Sequence, residues 1–219
     1  MKKQMPLILC LMLSIFALSG CSDGSEPFLK KNYTSDTLIN EIIFDVKDRK
    51  IEVSLSKDEQ VHIQYSENNK EYYDISVSEN VLTMTSADSK EWTDYIGFKP
   101  AAENRKISLQ VPDALLENLT LSTTNEDVNL SALAVAGSVN ISSVEGNITF
   151  GALDVGNSLI LSAKNGNISG TVAGSYDDFS IRSNIKKGGS NLPDQKNGGE
   201  KTLHASCNNG DIQIEFANR

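Results

Sequence analysis

Two histidines, His62 and His204, are the first places to look for proton chemistry. His62 lies in "QVHIQYS" between Val61 and Ile63, and His204 lies between Leu203 and Ala205. Strand alternation turns both toward solvent. No spacing joins either one to a nucleophile or to metal-ligand partners. Serine is plentiful, but no serine sits in a Gly-x-Ser-x-Gly elbow. Gly188-Gly189 and Gly198-Gly199 lack the lysine-serine ending and the following helix of a phosphate loop. A polysaccharide lyase needs clustered acids beside a basic residue, and Arg182 with Asp177 and Asp178 is the nearest approach. Asp127, Asn147, Asn167 and Asp211 recur at one repeat position, as a calcium ladder would. Only two of these four are carboxylates, so side chains bonding turn amides are the better reading. These patterns lead to an expectation of no catalytic residue, no metal and no cofactor.

Aromatic chemistry is concentrated in one place. "ADSKEWTDYIGFKPAAENR" (87–105) breaks the surrounding pattern and carries the only tryptophan, Trp92, with Tyr95 and Phe98. Such rings stack on sugars or anchor a protein partner. They also serve as a cap over the open end of a stacked fold, which is the reading preferred here.

The N-terminus reads "MKKQMPLILCLMLSIFALSGC". Lys2 and Lys3 precede a short apolar run and then Leu18-Ser19-Gly20-Cys21, the layout of a bacterial secretion signal. The run is too short for a stable membrane span. Leu18 to Cys21 resembles the lipobox of bacterial lipoproteins. That resemblance implies cleavage after residue 20, a diacylglycerol on the Cys21 thiol, and an anchor facing outside the cytoplasm. Acyl chains hold a protein firmly, at about 0.8 kcal/mol per buried methylene. The chain has 20 basic and 29 acidic residues for a formal charge of −9, and loss of Lys2 and Lys3 takes it to −11. This balance argues against nucleic acid as a partner. Once Cys10 is removed and Cys21 acylated, Cys207 has no disulfide partner, so stability must come from packing.

What positions these residues is a repeat. "LTLSTTNEDVNL" begins at Leu119, "VNISSVEGNITF" at Val139, "LILSAKNGNISG" at Leu159 and "FSIRSNIKKGGS" at Phe179, 20 residues apart each time. "LHASCNNGDIQI" begins at Leu203, a step of 24. A fixed period of this size marks a solenoid. Leu119, Val139, Leu159, Phe179 and Leu203 form one inward column, and Leu121, Ile141, Leu161, Ile181 and Ala205 the next. A third, small column holds Thr123, Ser143, Ala163, Ser183 and Cys207, which makes Cys207 a buried structural residue. Gly146, Gly166 and Gly210 are the turn glycines, with Glu126 in the same position one coil earlier. A single coil cannot bury its inward face, so neighbours must stack on it.

The N-terminal half alternates less regularly. Strands are expected at 40–46, 50–56, 60–66, 72–78, 80–86 and 106–112, either as antiparallel hairpins or as wider coils of the same solenoid. "DALLEN" after Pro112 suits one helical turn. "NIKKGGSNLPDQKNGGEK" (184–201) interrupts the last coils and is expected to be a mobile loop. The expected organisation is a signal peptide at 1–20, a lipidated tether at 21–35, a strand region at 36–112 and regular coils at 113–219.

"KISLQVP", an apolar link and repeated Ser…Gly-[Asp/Asn]-[Ile/Val] units resemble a bacterial family of unknown function whose members carry the label putative adhesin. The resemblance covers roughly residues 38–216 and implies an all-β, solenoid-like domain, often membrane-anchored. The expectation is a non-catalytic lipoprotein that displays a binding or scaffolding face at the cell envelope, with an envelope protein or a glycan as partner. An accessory or sensor protein of an envelope-stress system is the alternative, and a cell-wall glycan enzyme the weaker one.

Overall fold

Strict alternation of apolar and polar residues decides where strands form, because each strand must offer one face to a core and one to water. The computed structural model describes residues 27–89 and 99–218. Its strands are β1 (Leu29–Thr34), β2 (Glu41–Asp45), β3 (Lys50–Leu55), β4 (His62–Glu67), β5 (Glu71–Ser78), β6 (Val81–Asp88), β7 (Lys106–Val111), β8 (Asn118–Thr123) and β9 (Val128–Leu130). They continue as β10 (Leu133–Val135), β11 (Ser138–Ser143), β12 (Ile148–Val155), β13 (Ser158–Asn165), β14 (Ile168–Ala173), β15 (Phe179–Lys187), β16 (Gln195–Lys196), β17 (Lys201–Asn209) and β18 (Ile212–Ala217).

These strands make two nine-stranded sheets and an open, all-β solenoid. Sheet A runs β1-β4-β7-β3-β9-β12-β14-β18, with β10 beside β12, and sheet B runs β16-β15-β17-β13-β11-β8-β2-β6-β5. The inward residues of both sheets join in one core. In the middle the coils stack in sequence order: β8, β11 and β13 pair in parallel, as do β9, β12 and β14. Leu119, Val139 and Leu159 are register partners, and so are Leu121, Ile141 and Leu161. All six are essentially inaccessible to water.

Both ends depart from sequence order. At the N-terminal end, β2 and β3 lie against β8 and β9, while β6 and β7 stack outside them. The chain overshoots by one rung and then returns across the inner one. β4 and β5 pair antiparallel with β7 and β6. The N-terminal half is therefore both of the expected things, parallel coils plus antiparallel flanking strands. β1 pairs antiparallel with β4, so strand structure begins inside the segment expected to be a polar tether. "DALLEN" is not a helical turn: it is an irregular turn with Ala114 at φ 55°.

At the C-terminal end, β17 lies between β13 and β15. Leu203 is the partner of both Leu159 and Ile181, so β15 is shifted two residues from the expected column. Ile181 takes the place expected for Phe179, Ser183 that of Ile181, and Ile185 that of Ser183. A shift of two leaves every side chain on the same face, which is why periodicity does not reveal it. Phe179 instead plugs the end of the core, with its ring 5.7 Å from that of Phe216. The segment 184–201, expected to be mobile, builds the end: β16 pairs antiparallel with β15, and Leu192 is buried. Asn191 Nδ2 donates to Ile214 O at 2.9 Å and Asn191 Oδ1 accepts from Ile214 N at 3.0 Å, so a side chain covers the edge of β18.

Candidate functional site

The recurring tetrapeptide is a spine between coils. A Cβ on Gly146 would lie 1.9 Å from Glu126 O, one on Gly166 2.2 Å from Gly146 O, and one on Gly210 2.4 Å from Gly166 O. Close stacking of backbones is thus the reason for glycine at all three. Left-handed φ adds to it only at Gly210 (φ 143°). Gly188 extends the series, since its Cβ would lie 2.0 Å from Gly210 O. The two-residue shift of β15 hides that position in the sequence.

Beside the glycines, each Asx side chain accepts from the same position one coil along. Asp127 Oδ1 accepts from Asn147 N at 2.8 Å, Asn147 Oδ1 from Asn167 N at 2.9 Å, and Asn167 Oδ1 from Asp211 N at 2.8 Å. Asp211 Oδ1 accepts from Gly189 N at 2.7 Å. The oxygens that would bind calcium are spent on backbone amides of the next coil, not of their own turn. The small column adds a second line of bonds. Ser143 Oγ donates to Glu126 O at 3.2 Å, and Cys207 Sγ donates to Gly166 O at 3.2 Å. Burial pushes the Cys207 thiol up from its ordinary value, so it stays protonated as a donor.

The titratable group that sequence reasoning left alone is His62. It does face outward, yet it is held from both sides. Nδ1 lies 2.9 Å from Thr34 Oγ1, and Nε2 lies 2.9 Å and 3.1 Å from the Asp58 carboxylate oxygens. Asp58 also accepts from Ser56 Oγ at 2.8 Å and Gln60 N at 3.0 Å. The hydrogen bond from His62, then those from Ser56 and Gln60, hold its carboxyl down at about 2. The three residues border a groove of about 490 Å³ on the outer face of β1, β4 and β7. Asn32, Gln64, Ser108 and Gln110 line the same groove, with Gln64 Nε2 donating to Asn32 Oδ1 at 3.2 Å.

Thr34, His62 and Asp58 have the order of an acyl-transfer relay. The carboxylate side chain is 52% exposed and the imidazole 29%, so water screens the chain and weakens its field. Chemically, the groove offers oriented hydroxyl, imidazole and carboxamide groups to a polar ligand. Asp58 and His62 are four residues apart in the sequence, which was a usable signal. Thr34 comes from β1, whose pairing with β4 no local pattern announces.

Arg182 does not meet the acids expected beside it. Asp178 Oδ2 accepts from Ser175 N at 2.9 Å in a capping box, and Asp177 lies 3.7 Å from Lys196 Nζ. Arg182 instead stands on the outer face of β15, with His204 of β17 and Gln195 of β16 as its register partners. Cys21, Trp92, Tyr95 and Phe98 lie outside the described residues. No helix among the described residues is long and apolar enough to cross a membrane.

The family model of Toastrack DUF4097 matches residues 39–219. A putative cell adhesion protein from Clostridium sporogenes ATCC 15579 is similar in structure, with TM-score 0.55 and 10% identity. That match covers 86% of this chain and 100% of the other. A putative adhesin from Bacteroides fragilis NCTC 9343 aligns with TM-score 0.37 and 13% identity, covering 88% of this chain and 98% of its own. At such identities the likeness concerns the fold. No curated protein matches the chain.

Proposed function

The chain belongs to the Toastrack DUF4097 family, and from that premise we propose that it is a non-catalytic, adhesin-like display domain held at the cell envelope by a lipid on Cys21. One observation carries the reading. The inward side chains fill one core, and the turn side chains cross-link coil to coil, leaving on β8, β11 and β13 an outer face made mostly of serine, threonine and asparagine. Such a frame holds a surface in place; it does not fold around a reacting group. The adhesion-protein description of the Clostridium sporogenes structure supports the same reading.

The test uses bacteria carrying the full-length chain, layered over plates coated with envelope polysaccharide. Cells with the wild-type chain should be retained, and Cys21→Ser should move the protein to the soluble fraction and abolish retention. Thr34→Val with His62→Gln should leave retention unchanged and release no new fragments from the coating. Retention that survives Cys21→Ser would contradict the anchor, and fragments released by wild type but not by the double variant would contradict the non-catalytic reading.

A further inference from the structure

The outer face of sheet B between β8 and β15 differs in charge from the rest of the chain. Three outward rows cross its five strands. The middle row is Thr120, Asn140, Ile160, His204 and Arg182. The rows on either side, which start at Ser122 and Asn118, hold only serine, threonine and asparagine. No aspartate or glutamate occurs in any of the three, in a chain with 29 acids against 20 bases. Arg182 is exposed and has no ion pair among the described residues. Lys164 and Lys186, further along β13 and β15, are exposed cations of the same kind.

The end hairpin gives this face a site. Arg182, His204, Gln195, Asn197 and Thr202 line an open pocket of about 230 Å³. Gln195 Nε2 donates to Asn197 Oδ1 at 2.9 Å, which fixes the wall. The planar guanidinium of Arg182 matches a carboxylate in a two-pronged way that an ammonium cannot. Two strand spacings away, about 10 Å, stands Ile160, the only apolar side chain in the three rows and 38% exposed. A lone apolar residue in a field of hydroxyls is too little for the core of a protein interface. No phenylalanine, tyrosine or tryptophan stands in the rows to stack a base.

We propose that this face binds a linear polysaccharide bearing carboxylates, with one carboxylate on Arg182, the apolar face of a nearby sugar on Ile160, and sugar hydroxyls on the serine and asparagine rows. The absence of acids keeps like charges away from the ligand, and the cations draw it to this face of an acidic protein. The proposal rests on the display reading and names the ligand class of that surface.

Full-length protein in detergent is titrated calorimetrically at low salt with three carboxylated chains: oligogalacturonate, oligomannuronate and hyaluronan. Methyl-esterified oligogalacturonate and polyphosphate run in parallel. At least one carboxylated chain should bind, and the ester should not. Arg182→Gln should weaken binding at least tenfold, Ile160→Ser severalfold, and Lys57→Gln in the His62 groove should change nothing. Arg182 is exposed, so circular dichroism of its variant should be unaltered. The proposal is overturned if none of the three binds, if the ester binds as well as the acid, if Arg182→Gln binds like wild type, or if polyphosphate binds more tightly than every uronate. Failure here with cells still retained on polysaccharide removes only this face. Binding here with no Cys21-dependent retention removes the display reading and leaves the site.

Discussion

From β8 to β14 each rung lies beside its neighbour in sequence; at the N-terminal end the outermost rung is made after the one inside it, and at the C-terminal end before it. In the middle, one rule does all the work: the same residue types return to the same place and stack, carbonyl against glycine and Asx against amide. At the ends a bare rung would expose its core and a row of unpaired backbone groups. A rung out of sequence order closes each end, built outside the first rung at the N-terminal end and inserted inside the last at the C-terminal end, and antiparallel strands flank the outside. The two ends use different chemistry for the same closure. At the N-terminal end, the buried Arg49 guanidinium donates to Tyr73 Oη and lies 2.6 Å from Glu71 Oε2. Burial works against the Arg49 charge, and Tyr73 and Glu71 more than offset it, leaving its pKa raised. At the C-terminal end, Tyr176 and Phe179 pack on Phe216 at 5.3 Å and 5.7 Å, with Lys196 4.8 Å from the Tyr176 ring.

The largest effect should come from the middle. Gly146→Val would drive a side chain into the Glu126 backbone, which cannot retreat without opening the stack. A loss of about 4 kcal/mol and a fall in Tm on the order of 10 °C are expected in thermal unfolding. Next comes the charged end. Arg49→Ala would remove a buried guanidinium that bonds both Tyr73 and the Glu71 carboxylate, whose side chain is only 13% exposed, at a cost of about 3 kcal/mol. If ends and middle form one cooperative body, this variant melts in a single transition. Two transitions would separate the end from the stack and break the comparison.

Smaller again is the C-terminal edge. Asn191→Ala removes both bonds to Ile214 at a cost of about 1–2 kcal/mol. Hydrogen exchange should accelerate at Ile214 and its edge neighbours and leave β11 to β13 unchanged. Smallest is the pH effect at Asp58. Its folded value, about 2, is below its ordinary value, so its contribution is complete above the ordinary value and is lost as pH falls through about 2. A carboxyl-carbon titration by NMR should give a midpoint near 2, rising toward the ordinary value in His62→Gln.

The middle was legible because stacking writes itself into the sequence as columns. Spacing alone places Leu119, Val139 and Leu159 in the core and the glycines at 146, 166 and 210 at the turns. The ends were not, for two physical reasons. A shift of two residues in β15 preserves the buried face, so Ile181 takes the column of Phe179 and Ser183 that of Ile181 without any change of pattern. Periodicity also says which side chains share a face, not which strand lies next, so the place of β17 between β13 and β15 carried no local mark. The groove at His62 needed Thr34 from a strand that reads as a polar leader, because most of β1 is exposed on both faces.

Rung order at the C-terminal end tests the account most directly. Ser162 and Ser206 are register partners on adjacent strands, about 4.8 Å apart, which suits a disulfide. Ser162 and Arg182, which would be partners if coils stacked in sequence order, are two strand spacings apart. With Cys207→Ala and Cys21→Ser as background, Ser162→Cys with Ser206→Cys should oxidise to a linked tryptic peptide pair, and Ser162→Cys with Arg182→Cys should stay reduced. The reverse result would mean that the coils stack in sequence order and that the ends are not closed by a returning strand.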